Sequence, residues 1–425
     1  MPRPMKNSGV KWIGDIPADW EINNVFQIFT QVKNKNSDLQ EQNLLSLSYG
    51  KIKRKNIDTT DGLLPESFDG YNIIEADDIV LRLTDLQNDH KSLRVGLATE
   101  RGIVTSAYLT IRNRSESLPK YLYYYLHSFD IAKGFYGMGA GVRQNLNWNE
   151  MKWLRILSPP LEEQKRIAAF LDDKCARIDS IVAKTRASVE EYKKLKQAVI
   201  TRAVTKGLRP NRPMKDSGVE WLGDIPADWV LNKIKNSFTV YSGATPKSDV
   251  VENWDGDIIW ITPADYKTAD KYISQGKRNL SEIGYRSCGT TLVPSGSIIF
   301  SKRAPIGTVA IAVVELCTNQ GCLACVPKAE ADNGYYFYVM SAFTEQFNMF
   351  GTGTTFKEIS YDVFRSFKVP HPPLDEQKEI AAYLDAKTSA IDSLVAKKNQ
   401  LAAELASLKK SLIFEYVTGK KEVTA

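Results

Sequence analysis

Histidine, cysteine and long apolar runs are all scarce in this chain. Its 425 residues include three histidines and five cysteines. Three histidines leave little material for imidazole catalysis or a histidine-rich metal centre. Five cysteines are odd in number and lack the spacing of a disulfide framework, which fits a reducing compartment, so a cytoplasmic location is expected. No window approaches eighteen continuous apolar residues, and the opening MPRPMKNSGVKW lacks the apolar core of a signal peptide. A membrane span and an export signal are therefore not expected. Charge of one sign is also in short supply. Lys and Arg total 56 against 50 Asp and Glu, a formal charge of +6. That excess permits a polyanionic partner without demanding one.

What the chain does contain is one sequence written twice. Residues 5–20 read MKNSGVKWIGDIPADW and residues 214–229 read MKDSGVEWLGDIPADW, identical at thirteen of sixteen positions. A second repeated stretch closes each half: SPPLEEQKRIAAFLDDKCARIDSIVAK from Ser158 and HPPLDEQKEIAAYLDAKTSAIDSLVAK from His371. Between these markers the halves match only in outline, as in YLYYYLHSF (121–129) against YYFYVMSAF (335–343) and GAGVRQNLNW (139–148) against TGTTFKEISY (352–361). Similar ends with divergent middles are what two copies of one tool with two different targets would show.

Each half divides again. Short apolar runs punctuated by Gly, Pro and Asn predict an α+β domain over 1–157 and a second over 208–370. The stretches 158–207 and 371–425 open on Pro-Pro followed by acids, which suits a helix start, and then run without proline. They are expected to form long helices, each of order 65 Å. A 3–4 apolar spacing runs through Ile391, Leu394, Lys398, Leu401, Leu405, Leu408 and Leu412, and more weakly through Ile178, Ile181, Thr185, Ser188, Tyr192, Leu195 and Val199. This predicts the seam of an antiparallel coiled coil between the two copies.

The paired GVKWIGDIPADW and GVEWLGDIPADW, with PPLEEQKRIAAFLD and PPLDEQKEIAAYLD, resemble the specificity subunit of type I restriction-modification systems over essentially the whole chain. The resemblance implies two target recognition domains, each reading one half of a split site on double-stranded DNA, separated by two long helices that dock two methylation subunits. It allows two restriction subunits to join further out. It also implies a non-catalytic chain without a cofactor of its own. S-adenosylmethionine would be bound by the methylation subunits, and ATP and magnesium by the restriction subunit.

On that reading the contact candidates are side chains suited to phosphates or base edges. In the first domain they are the basic run Lys51, Lys53, Arg54 and Lys55, the loop residues Asn88, Lys91 and Arg94, and Arg143, Gln144 and Asn145. In the second domain they are Thr245, Lys247, Asp265, Tyr266, Lys267, Lys302, Arg303, Thr354, Thr355 and Lys357. The repeated Trp12, Trp20, Trp221 and Trp229 are expected to pack the entry segments rather than stack on bases.

Catalytic alternatives fare poorly. Ser158-Pro-Pro-Leu161 and His371-Pro-Pro-Leu374 lack the carboxamide and aromatic of an adenine methyltransferase loop, and helix capping explains them. Glu163-Gln-Lys165 and Glu376-Gln-Lys378 have nuclease spacing without an upstream acidic strand, so a surface helix is expected. Cys317, Cys322 and Cys325 open like an iron–sulfur site but no fourth cysteine follows, which favours a buried strand.

Overall fold

The computed structural model describes residues 3–57, 65, 67–138, 144–268, 271–353 and 357–423, with the side chains of 266–268 left undescribed. The chain forms two compact units. Unit 1 comprises Met1–Arg186 with Asn399–Ala425, and unit 2 comprises Ala187–Lys398. Each long helix is therefore shared between units instead of forming a domain of its own, unlike the division expected from sequence.

Both units repeat one plan. In unit 1 a four-stranded antiparallel sheet runs in the order Phe29–Gln31, Leu109–Asn113, Ile79–Leu81 and Val95–Leu97. In unit 2 the counterparts Phe238–Ser242, Cys322–Pro327, Ile298–Ser301 and Val309–Ala312 keep that order, and Tyr272–Ile273 adds a parallel edge strand. A helix packs with each sheet's core: Pro119–Ile131 in unit 1 and Asn333–Ala342 in unit 2. Two small two-stranded sheets hold each entry segment in the same pairing, Met5–Asn7 with Asp15–Pro17 and Glu21–Asn24 with Arg155–Ser158 in unit 1. The second unit pairs Met214–Asp216 with Asp224–Pro226 and Val230–Lys233 with Lys368–His371.

The additions differ. Unit 1 carries the hairpin Leu45–Ser48 and Lys51–Arg54, whereas unit 2 carries a sheet of Arg278–Leu280, Trp254–Ile261 and Cys317–Thr318. Cys317, Cys322 and Cys325 are fully buried in separate apolar clusters, so their spacing reflects strand packing. Among the described residues no group of His, Cys, Asp and Glu could hold a metal ion.

The long helices are Leu161–Lys206 and Leu374–Val417. Within unit 1, Phe170 meets Tyr416 at 4.4 Å between ring centroids, and Asp179 accepts from Lys409 at 2.7 Å. Within unit 2, Lys196 Nζ donates to Asp392 at 2.6 Å and Lys398 lies over the Tyr192 ring. Residue numbers rise on one helix as they fall on the other, so the segments pair antiparallel in each unit.

The seam is shifted from the one expected. Ile391 is buried and Lys398, Leu405 and Leu412 are partly buried, but Leu394, Leu401 and Leu408 are 43–48% exposed. Lys409 reaches across to Asp179 and Lys196 to Asp392, and Ala402 and Val189 are buried, whereas Ile181 and Leu195 on the other helix are exposed. Several of the longer apolar side chains are left outside.

The end of each long helix belongs to the unit it reaches. Ile413 and Val417 enter the core of unit 1, while Ile200, Ala203 and Val204 enter that of unit 2. Both helices stop at glycine with a left-handed backbone, Gly419 (φ 69°) and Gly207 (φ 71°), as C-terminal caps commonly do. Unit 1 is thus a circular permutation of unit 2.

Candidate DNA interface

Each unit is anchored by the same buried polar node. Glu163 is 6% exposed and accepts from Trp20 Nε1 at 3.0 Å, while Arg3 bridges it to Asp19 at 2.9 Å. In unit 2, Glu376 accepts from Trp229 Nε1 at 2.9 Å, and Arg212 bridges it to Asp228 at 2.6 Å. The next residue repeats too. Gln164 accepts from Leu118 N and donates to Pro159 O, as Gln377 accepts from Asp332 N and donates to Pro372 O. The Glu-Gln pair therefore points inward, not outward as a surface helix requires. Its lone pairs are occupied by indole and guanidinium, which explains the motif without nuclease chemistry. Trp20 and Trp229 are fully buried, so neither can stack on a base.

With the scaffold fixed, the variable loops carry what distinguishes the units. In unit 1 the segment 83–93 between two sheet strands is closed by Arg82 N donating to Arg94 O at 2.9 Å. Asp85 is its hub. Its Oδ1 accepts from Asn88 Nδ2 at 2.7 Å, and its N–H donates to Asn145 Oδ1 at 2.9 Å. Leu86 N donates to Gln144 O at 3.4 Å. Asn88, Gln144 and Asn145 are thus brought together, with Lys91 exposed on the same loop. Asp89, held down to about 2 by hydrogen bonds from Ser92 and Lys91 N, ties the loop's far side. Arg143 lies outside the described residues.

The basic strand is a separate feature. Lys51 lies 3.8 Å from Asp179 on the long helix, and Arg54 pairs with Glu100, its Nε at 2.9 Å. Lys53 and Lys55 are exposed. Arg94 is a correction: it is fully buried and cannot reach DNA. Asp265 in unit 2 is another, since it is 7% exposed and accepts from Thr262 N and Oγ1 and from Lys277 N. Both were expected at the surface because their types suit base edges; the structure spends their hydrogen bonds on loop backbone and nearby hydroxyls.

In unit 2 the sheet ends converge differently. Lys302 donates to Glu358 at 2.8 Å and Arg303 to the same carboxylate at 3.3 Å. Lys302 N also reaches Gly321 O at 2.9 Å, and Thr245 Oγ1 donates to Gln320. A cleft of about 520 Å³ lies between Thr262, Pro263, Arg303, Pro305 and Asn319. Lys247 and Lys357 are exposed. Thr354 and Thr355 lie outside the described residues, and nothing is described of the Tyr266 and Lys267 side chains.

Asn319 and Gln320 were missed in the sequence. Thr318-Asn-Gln-Gly321 reads as part of a strand aligned with 104–108, yet Asn-Gln-Gly between two apolar runs is a turn signal. In the fold this turn sits beside Thr245 and Arg303, with the Gln320 amide exposed.

Two copies of one scaffold with different loops match a known plan. The family model for the type I restriction modification DNA specificity domain matches residues 17–191 and again 226–403. The chain belongs to this family. The type I restriction enzyme MjaIX specificity subunit of Methanocaldococcus jannaschii is 37% identical over 182 residues, 42% of this chain and 41% of that protein. The MjaVIII specificity subunit of the same organism is 24% identical over 96% of this chain and 94% of its own length. The fold is shared with a solved chain from a study of complex assembly and conformational transition of the type I R-M system. The TM-score is 0.74 at 17% identity, covering 96% of this chain and 99% of that one. As a type I specificity subunit with two such domains, the chain has the layout of bipartite recognition. Among the described residues no helix is long and apolar enough to cross a membrane.

Proposed function

We propose that each unit reads one half of a split site on double-stranded DNA, and that the long helices seat two methylation subunits. The carrying observation is a sheet and anchor shared by both units with different loop sets: 83–93 and 144–145 in unit 1, and 245–247, 302–303 and 318–321 in unit 2. Loops on a rigid scaffold are where recognition can vary without loss of fold. Amides such as Asn88, Gln144, Asn145 and Gln320 pair with adenine edges, and arginine with guanine. Lysines 53, 55, 91, 247 and 357 supply phosphate contacts, which position the protein without reading sequence.

The partner surface follows from the shifted seam. Ile181 and Leu394 occupy equivalent repeat positions, as do Leu195 and Leu408, and all four stay 43–49% exposed on long helices. Leu394, Leu401 and Leu408 repeat every seven residues along one helix, the form a partner helix would cover. The chemistry on the target base would then belong to the methylation subunits with their S-adenosylmethionine, and any cleavage to ATP- and magnesium-dependent restriction subunits.

Exchanging residues 21–155 for those of another family member tests the assignment. One half of the methylated motif is expected to change while the other stays. A change in both halves, or in neither, would contradict it.

A further inference from the structure

The side chain of Arg94 is fully buried, and all five of its N–H groups are used. Nη1 donates to Arg82 O at 3.1 Å and Thr84 O at 2.8 Å. Nη2 donates to Asp85 O at 3.3 Å and Asp89 O at 2.6 Å, and Nε to Tyr136 Oη at 3.1 Å. Four of these acceptors are backbone carbonyls of the strand end and of loop 83–93. The Tyr136 hydroxyl donates in turn to Asp89 O at 2.9 Å. The backbone N–H of Arg94 is held at 2.5 Å by Asp130, itself fully buried. His90 stacks on Tyr136 at 4.9 Å, and Lys133 donates to His90 O at 2.5 Å. A buried cation is costly unless its donors are matched, and here the loop backbone supplies the match.

The corresponding loop of unit 2 is shorter. Its strands are joined by 302–307, closed by Ser301 N to Thr308 O at 2.8 Å. The buried Ser301 hydroxyl lies 2.8–2.9 Å from Arg303 O and Pro305 O. The short loop gives two of its carbonyls to one buried hydroxyl, whereas the long one closes on a guanidinium fork.

We infer that Arg94 is a positioning residue for base recognition: it presets loop 83–93 so that Asn88 and Lys91 meet one half-site in a fixed geometry. This rests on the reading of unit 1 as a DNA-reading domain. A loop ordered before binding loses less entropy on association, and a fixed amide discriminates bases where a mobile one does not. Arg94 touches no DNA itself, so its effect reaches the bases through the loop.

The test is base-resolved mapping of methylation in cells carrying the full chain with its methylation partners. The variants are Arg94→Lys, Arg94→Met, Tyr136→Phe and the double variant Asn88→Ala with Lys91→Ala. The double variant and both Arg94 variants are expected to relax discrimination about tenfold or more at one or two bases in one half of the motif. The other half stays unchanged. Tyr136→Phe removes one of five acceptors and relaxes the same bases less. Lysine keeps the charge but not the fork. An Arg94→Lys variant with the wild-type motif would therefore show that charge, not loop geometry, matters, and would overturn the inference. So would a double variant that leaves both halves intact. Should the Arg94 variants abolish methylation through misfolding, Tyr136→Phe decides, and wild-type stringency there overturns the proposal. Absence of any split motif for the wild-type chain is a different result, which fails the functional reading itself.

Discussion

Trp20 and Glu163 are 143 residues apart in sequence and joined at 3.0 Å by a buried indole–carboxylate hydrogen bond, which Trp229 and Glu376 repeat at 2.9 Å. The bond fastens the entry segment of each unit to the first turn of its long helix. Glu163→Gln keeps an acceptor for the indole but loses the charge that pairs with Arg3. It is expected to destabilise unit 1 by about 2 kcal/mol. Glu376→Gln should do the same to unit 2 alone. Hydrogen exchange resolved by segment checks this, and equal loss of protection in both units would contradict it.

The two copies also differ at one packing position, and that difference is testable. Phe414 packs 6.1 Å from Trp12 in unit 1. Its repeat equivalent in unit 2 is Thr201, which lines a cavity of about 660 Å³ beside Trp221 and Phe343. Thr201→Phe is expected to stabilise unit 2 by about 1 kcal/mol, and Phe414→Thr to cost unit 1 about 2 kcal/mol. Denaturant unfolding of the two variants measures both signs.

Unit 1 carries two opposed titrations on one helix. Burial, with Lys409 nearby, depresses His127 to about 4, and burial raises Asp130 to about 6. Asp179 opposes the first shift, and Arg94 and Lys133 oppose the second. As pH falls from 6.5 towards 4 the unfolded histidine binds a proton that the folded one refuses, so stability is lost. Over pH 6 to 4 the folded aspartate binds its proton before the unfolded one, so stability is gained. Each effect is about 3 kcal/mol, and they largely cancel. His127→Gln should therefore make unit 1 more stable on acidification relative to the parent, and Asp130→Asn less stable. Melting temperatures at pH 7 and pH 4.5 give the comparison, and parallel curves for all three chains would contradict the assignment.

The exposed leucines separate folding from assembly. Leu394→Glu, Leu401→Glu and Leu408→Glu remove side chains that are nearly half exposed, so the chain's own stability should change by less than about 1 kcal/mol. Binding to a methylation subunit is expected to weaken more than tenfold for the triple variant. Titration calorimetry with the purified partner reads the second effect. Unaltered affinity would place the docking surface elsewhere.

The sequence made the repeat, the two α+β domains and the long helices legible because identity and period are local signals. The coiled-coil seam was only half legible. Leu394, Leu401 and Leu408 outrank Ala402 and Lys409 in apolarity, and periodicity cannot say that the latter are the better covered. Arg94 and Asp265 failed for a related reason. Residue type suggests what a side chain can bond, and only the fold shows that their partners are loop backbone and nearby hydroxyls. Gln320 was hidden because its turn was aligned with a strand. The sharing of each helix between units was also beyond a linear reading, since unit 1 draws on both ends of the chain.

The most direct test of the central claim is base-resolved methylation mapping of DNA from cells with and without this chain, the proposed methylation subunit being expressed in both. The account predicts a split motif with a fixed gap that disappears when the chain is removed. A continuous motif, or methylation that persists without the chain, would contradict it.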